Sequence, residues 1–344
     1  MRPPHALTLS RRTVQVLVLL LTVLTPVLAR HANYLSAQHL DKAIEQLGSS
    51  PQGLSLRATD ALLRAVTGVE RPAAELRTAD RDALLAAARG ARGSVWSFEL
   101  FGITITDPLA ALESAAASRT GRWVLLSGVL LPLLLTAMLG RVFCAWICPA
   151  GFLLDLTGRL RGLLRFLELK PGRVRLWSGD KFLLLALGVA ASLVAGLPLL
   201  GYVYPPALVG REVHNGLTAM FDRAEDGMLG FSAAGLTIAS WFLLAVALAE
   251  IAFGRRLWCR ALCPGGALYS LLGRYRLLRI RRTPARCDDC GDCVAACEMG
   301  LSPMTDRFGM ECDGCGACIT SCPTDALAYR LGAREARRTG EVGS

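Results

Sequence analysis

The chain has 344 residues, 53% of them hydrophobic, and a formal net charge of +10 at pH 7; its mean hydropathy is +0.40. So apolar a chain does not read as two ordinary soluble domains, and anionic lipid accounts for the basic surplus without nucleic acid. There is no Cys-x-x-Cys-His run and no Gly-rich dinucleotide fingerprint, which argues against c-type haem and against direct NAD(P)H or flavin chemistry.

In chain order, the first apolar run is Thr13–Ala29. It follows Arg11 and Arg12 and is expected to form an uncleaved anchor helix within residues 1–30, although Ser10-Arg11-Arg12 also resembles a twin-arginine signal. Residues 31–121 are expected to form a helical loop on the periplasmic side, with amphipathic stretches at Asp60–Val66 and Asp82–Ala88. A membrane domain is expected over 122–280. It contains three further apolar runs, Trp123–Leu139, Phe182–Tyr204 and Phe231–Phe253, each near the ~20 residues that cross a bilayer. Residues 281–332 follow as a small cysteine-rich domain, and 333–344 as a flexible tail. The fold class expected is a mainly α membrane protein. Four transmembrane helices form a duplicated two-helix unit, followed by a C-terminal α+β domain whose class, a dicluster ferredoxin-like module, rests on the cysteine runs Cys287-x2-Cys290-x2-Cys293-x3-Cys297 and Cys312-x2-Cys315-x2-Cys318-x3-Cys322.

Basic residues set the orientation. Arg141, Arg159, Arg161, Arg165, Lys170, Arg173, Arg175 and Lys181 lie between the second and third runs, and another cluster from Arg255 to Arg286 follows the fourth. The connection between the third and fourth is acidic, with Glu212, Asp222, Glu225 and Asp226. Both termini and all the cysteines are therefore expected on the cytoplasmic side of a bacterial inner membrane, where thiols stay reduced.

All 12 cysteines fall into four runs. Two are matching segments 115 positions apart: Cys144-x3-Cys148-Pro149-x-Gly151 and Cys259-x3-Cys263-Pro264-x-Gly266, with Arg141 and Arg256 three positions before each first cysteine. Duplicated halves tend to build a site at their interface, so Cys144, Cys148, Cys259 and Cys263 are expected to converge as a redox or metal centre. Iron, a cluster, copper or a dithiol–disulfide pair all remain open. The alternative is that they are small residues packed at helix ends.

The other two runs are Cys287-x2-Cys290-x2-Cys293-x3-Cys297 and Cys312-x2-Cys315-x2-Cys318-x3-Cys322-Pro323. This spacing wraps three thiolates around a cubane, and the fourth cysteine crosses to the other cluster. Cys287, Cys290, Cys293 and Cys322 are thus assigned to one 4Fe–4S cluster, and Cys312, Cys315, Cys318 and Cys297 to a second. Zinc or disulfides are the alternatives, and eight cysteines in this duplicated pattern argue against both. Glu298 stands where the usual pattern has proline. Its charge is expected to lower the potential of a nearby cluster.

Taken together, the apolar runs, the two Cys-x3-Cys-Pro segments and the dicluster module resemble the NapH/MauN group of membrane-bound ferredoxin-type proteins, with related modules in NosR and CcoG. Shorter segments, His31-Ala-Asn33-Tyr34, Thr106-Asp107-Pro108-Leu109 and Pro206-Ala-Leu208-Val-Gly210-Arg211, are also similar to NapH. The resemblance implies an electron-transfer subunit of a quinol dehydrogenase, with quinol as substrate and two 4Fe–4S clusters. It implies as partners the quinol pool, a cytoplasmic ferredoxin-like subunit and a membrane-anchored cytochrome. The alternative it implies is a redox maturation factor for a copper or periplasmic enzyme. Glu250, in the fourth run, is a candidate quinol-proton acceptor or a solvated or paired interfacial carboxylate.

Overall fold

The computed structural model describes residues 5–70, 76–89, 91–94, 97–100, 102–118, 123–166, 177, 179–225, 237–306 and 308–332. The expected tail at 333–344 and the basic residues Lys170, Arg173 and Arg175 lie outside them. The described chain is mostly helical, with a small α+β module at its C-terminal end.

The first apolar run lies within α1 (His5–Ser36), a helix of 32 residues and thus roughly 48 Å long against about 30 Å of hydrocarbon. Pro26 offers no N–H to the Thr22 carbonyl, and the Thr25 hydroxyl donates to that oxygen instead, at 3.4 Å. The surplus C-terminal turns carry α2 (Leu40–Leu47), α3 (Pro51–Thr67) and α4 (Thr78–Ala88). Leu28, Ala32 and Leu35 share a core with Leu40, Leu63 and Leu84. Asp60 ties α3 to α1, 3.1 Å from His31 Nε2 and accepting from Arg64 Nε at 2.6 Å.

The segment expected to be a helical loop also contains an antiparallel sheet of β1 (Ala91–Ser94), β2 (Ser97–Leu100) and β3 (Ile103–Thr106). The β-branched stretch Ile103-Thr-Ile-Thr106 suits a strand better than a helix. Next, α5 (Pro108–Ser118) starts with Pro108 in its first position, and Asp107 Oδ1 accepts from Leu109 N at 2.7 Å.

The next three apolar runs give α6 (Trp123–Leu139), α9 (Asp180–Ala195) and α11 (Ile238–Phe253), of 17, 16 and 16 residues. Each falls short of the ~20 that span a bilayer unaided. Among the described residues only Ala6–Ser36 is both long and apolar enough to do so. The run expected from Phe182 to Tyr204 is not one helix. Gly196, at φ 67°, ends α9 in the left-handed conformation that favours glycine, and a tight turn at Leu200–Tyr202 follows. The start of the fourth run, 231–236, lies outside the described residues. The acidic connection between the third and fourth runs is not bare loop. It carries a helix, α10 (Pro205–Glu225), packed against α1 and α11.

After α6 come α7 (Val142–Trp146) and α8 (Pro149–Phe166); after α11 come α12 (Leu257–Ala261) and α13 (Pro264–Leu272). The break before α7 needs Gly140. Its φ is 80°, and a Cβ there would lie 2.4 Å from Arg276 Cδ. The C-terminal module closes with β4 (Leu278–Arg282) paired antiparallel to β5 (Leu327–Leu331), Ile280 opposite Tyr329. Between them lie α14 (Asp292–Ala296) and α15 (Ala317–Thr320). The outward faces of α1, α6, α9 and α11 expose Leu17, Leu20, Leu131, Leu134, Leu187 and Leu248.

Candidate functional site

The two halves of the repeat fold alike because each cysteine pair spans the same turn. Cys148 N donates to Phe143 O at 2.9 Å, and Cys263 N donates to Trp258 O at 2.8 Å. Pro149 and Pro264 then open α8 and α13, where a missing N–H costs nothing. Gly266 N donates to Cys263 Sγ at 3.3 Å, so this thiol caps α13.

The halves interlock through their arginines. The Arg141 side chain reaches the second half, where Nη2 donates to Cys259 O at 3.4 Å and lies 3.0 Å from where a Gly266 Cβ would be. Arg256 reaches the first half, 3.4 Å from where a Gly151 Cβ would be. This reciprocal crossing brings the cysteines together. Cys148 has Cys144 and Cys259 as electrostatic neighbours, and Cys263 has all three others. Burial pushes all four thiols up, Cys259 to about 12, while Arg256 and Arg141 pull Cys259 down. A ligated group that removes the protons would stabilise such a set. Two buried guanidiniums beside it favour a centre of net negative charge.

Those arginines also hold the ferredoxin module. Arg141 Nη1 donates to Glu311 Oε2 at 2.6 Å, and Lys181 pairs with the same carboxylate. Arg256 Nε donates to Glu298 Oε2 at 3.0 Å, and Arg256 Nη2 binds Asp155, which Arg11 and Arg12 also reach. Glu311 precedes Cys312 and Glu298 follows Cys297, so both clamps act on cysteines of the same set. Trp146 Nε1 donates to Gly314 O at 3.2 Å, and Arg276 Nη1 donates to Cys312 O at 2.8 Å. Glu298, whose charge was expected to act on a nearby cluster, is paired with Arg256 beside the cysteine set that includes Cys297.

Seven of the eight ferredoxin cysteines lie in two adjoining neighbourhoods. Cys287, Cys290, Cys293 and Cys322 line one small cavity together. Cys318 has Cys312, Cys297 and, from the other set, Cys293 as electrostatic neighbours. The second group faces the repeat: the charge of Asp313 acts on both Cys144 and Arg256. The first points away, with Cys290 exposed. Among the described residues, no three His, Cys, Asp or Glu side chains form a single-ion cage in either place. Cysteine sets of this kind fit a larger cluster better than a lone zinc or copper ion.

Glu250 is neither solvated nor at a surface. It is buried, and its Oε1 accepts from Trp258 N at 2.7 Å, capping the helix that bears Cys259. A second buried carboxylate carried no role in the sequence reading. Asp107 Oδ2 accepts from Tyr204 and Tyr269, both at 2.9 Å, and so joins the outer segment to the helix that follows Cys263. The signal available was Asp-Pro opening one helix and Tyr-Pro opening another in the matching place of the second half.

A family model described as a 4Fe–4S binding domain matches residues 122–166 and 234–284, so it falls on the Cys-x3-Cys-Pro repeat itself. A second 4Fe–4S binding domain model matches 310–328. Among curated proteins, the ferredoxin-type protein NapH of Haemophilus influenzae is 32% identical over 57% of this chain and 61% of its own length. The methylamine utilization ferredoxin-type protein MauN of Paracoccus denitrificans is 33% identical over 60% and 66%. MauN of Methylobacillus flagellatus is 30% identical over 61% and 67%. The chain thus spans less than two thirds of the first two relatives. No solved structure matches. The chain carries 4Fe–4S binding domains and belongs to the NapH/MauN family of ferredoxin-type 4Fe–4S electron-transfer proteins.

Proposed function

We propose that this protein is a multi-pass inner-membrane electron carrier that takes electrons from the quinol pool and delivers them to a redox partner. The observation that carries the reading is the order of the three cysteine sets. Cys144, Cys148, Cys259 and Cys263 lie at the end of the helical bundle, and the set containing Cys312 and Cys318, equally buried, lies against them through Asp313. The set containing Cys290 reaches the surface. A chain of centres that runs from a membrane bundle to solvent is what a wire needs.

Cys287, Cys290, Cys293 and Cys322 would hold one 4Fe–4S cluster, and Cys312, Cys315, Cys318 and Cys297 a second. The repeat cysteines would hold a further iron–sulfur group, which the position of the matching family model supports. When bound, such clusters supply one-electron transfer, which splits the two electrons of a quinol. Arg141, Lys181 and Arg256 fix the spacing between repeat and module through Glu311 and Glu298. The exposed leucines of α1, α6, α9 and α11 form the lipid-facing belt of four spanning helices, with both termini and all clusters on the cytoplasmic side. A cytoplasmic ferredoxin-like subunit would dock near Cys290, and a membrane-anchored cytochrome would complete any route to the periplasm.

The test is anaerobic purification followed by EPR before and after adding a reduced quinol analogue. Reduced-cluster signals that appear rapidly support the reading. Clusters that dithionite reduces and quinol does not would overturn it. The second reading is a maturation factor that uses the repeat thiols to reduce a copper ion, disulfide or cofactor precursor of another enzyme. The buried thiols and the MauN relatives favour it. Metal bound at the repeat that leaves with a copper chaperone, or a disulfide that cycles there, would decide for it.

A further inference from the structure

A cavity of about 320 Å³ lies between α1, α6 and β3, beside the repeat, and none of the cysteine chemistry uses it. Its long wall is aliphatic, with Val18, Leu21, Leu131 and Leu135 among its lining. Leu21, Leu131 and Leu135 are also exposed on the outside of the bundle, so the cavity opens where hydrocarbon would lie. Its other end is a built polar site. Asp107 and Tyr269, 5% and 1% exposed, both line it, and the Tyr269 hydroxyl donates to the carboxylate at 2.9 Å. The Tyr269 ring stacks on Phe143, the neighbour of Cys144, with centroids 5.1 Å apart.

A ligand for this space needs a long apolar part, a small head that donates hydrogen bonds, and a reason to sit against a redox centre. The carboxylate at the polar end, when ionised, would repel a phosphate headgroup, which disfavours ordinary phospholipids as the matching occupant. The volume is that of a small-molecule site.

We propose that this cavity is the headgroup site of an isoprenoid quinol, with Tyr269 and Asp107 receiving the hydroxyl proton; this rests on the quinol reading given above. Tyr269 takes the proton from the quinol hydroxyl as it passes its own to Asp107. The oxidation balances. Two O–H bonds break, two electrons leave singly through Cys144 and its partners into two one-electron iron–sulfur centres, and two protons leave in turn through Asp107. Thr22 and Thr25 line both this cavity and an adjoining one of about 400 Å³ that holds Arg211 and His214. The second, more polar space gives the protons a way out.

The experiment uses the cluster-loaded full chain in detergent with a photoreactive short-chain quinone, peptide mapping of the label, and stopped-flow reduction by the matching quinol. The label is expected within residues 18–25 and 131–143, competed by unlabelled quinone. Thr136→Trp, which fills the cavity, should lower labelling about 10-fold. Tyr269→Phe should keep the label and the stack on Phe143 while quinol-driven cluster reduction slows about 100-fold, the size of a lost proton relay. Dithionite-reduced EPR spectra check folding in both. Label elsewhere, with wild-type reduction rates in both variants, would overturn this site and leave the quinol reading standing. No label and no reduction of the wild-type clusters by quinol would remove both.

Discussion

Arg256 and Glu298 meet at 3.0 Å across the boundary between the repeat and the ferredoxin module. The glutamate occupies the position after a fourth ligand cysteine where the ferredoxin pattern has proline. What looks like a departure from the motif is therefore a contact that pins the inner cysteine set to the bundle. The Arg256 guanidinium is 2% exposed and keeps Asp155 as its second partner. Glu298→Gln is thus expected to cost about 1–3 kcal/mol, the scale of a hydrogen bond to a charged group, without unfolding the chain. Removing the negative charge should also raise the midpoint of the inner cluster and leave the outer one unmoved. An EPR redox titration measures both, and equal shifts at the two clusters would contradict the placement.

The charge pattern was legible in the sequence, but part of its meaning was not. Arg141, Arg161, Arg256 and Arg276 read as members of basic clusters facing lipid headgroups. In the fold all four are buried, on Glu311, on the carbonyls of Glu250 and Ile251, on Asp155 and Glu298, and on Cys312 O. Charge bias is a local property of sequence, whereas these partners lie ~36–170 positions away, as the loop-closing contacts of a tertiary fold do. The cysteine motifs were legible because ligand spacing is also local. Asp107 was legible only as part of a resemblance, since its two tyrosine partners lie in the other half of the repeat, 97 and 162 positions away.

Asp155 gathers Arg11, Arg12 and Arg256, and so fastens the first turns of α1 to both halves of the repeat. Burial alone would raise its carboxyl, but Arg256, Arg11 and Arg12 outweigh burial and hold it below the ordinary value. Asp155→Asn should therefore release the start of α1. The expected readout is faster tryptic cleavage after Arg11 and Arg12, with the cluster spectra retained. Unchanged cleavage would mean that the apolar turns alone hold this segment.

The outer helices give a prediction in pH. Burial pushes the Asp60 carboxyl up, yet hydrogen bonds from His31 and Arg64 win and hold it below its ordinary 3.8. A carboxylate with a depressed folded-state pKa stabilises fully above the unfolded value, and that contribution is lost as pH falls through the folded one. Hydrogen exchange in residues 40–67 should thus be flat from pH 7 to about 5, after correction for intrinsic rates, and rise below about pH 4. Asp60→Asn should show the raised exchange at every pH. A variant that matches the wild type at pH 7 would refute the tie between α1 and α3.

The reciprocal crossing of the repeat arginines sets the last expectation. A Cβ at Gly151 would fall 2.9 Å from the Cys144 carbonyl oxygen, which is backbone and has no rotamer to yield. A Cβ at Gly266 would fall 3.0 Å from Arg141 Nη2 and 3.2 Å from Cys259 O, and the arginine tip can move aside more readily. Gly151→Ala should therefore be the more damaging of the two, costing about 1–3 kcal/mol as overpacking does, while Gly266→Ala costs less. Because the first substitution pushes on Cys144 itself, the iron–sulfur reading of the repeat predicts less iron there while the ferredoxin clusters persist. Iron counts per chain, read beside the EPR of the two ferredoxin clusters, separate the effects. Equal losses in both variants would mean that arginine placement, and not the backbone wrap around Cys144, governs the centre.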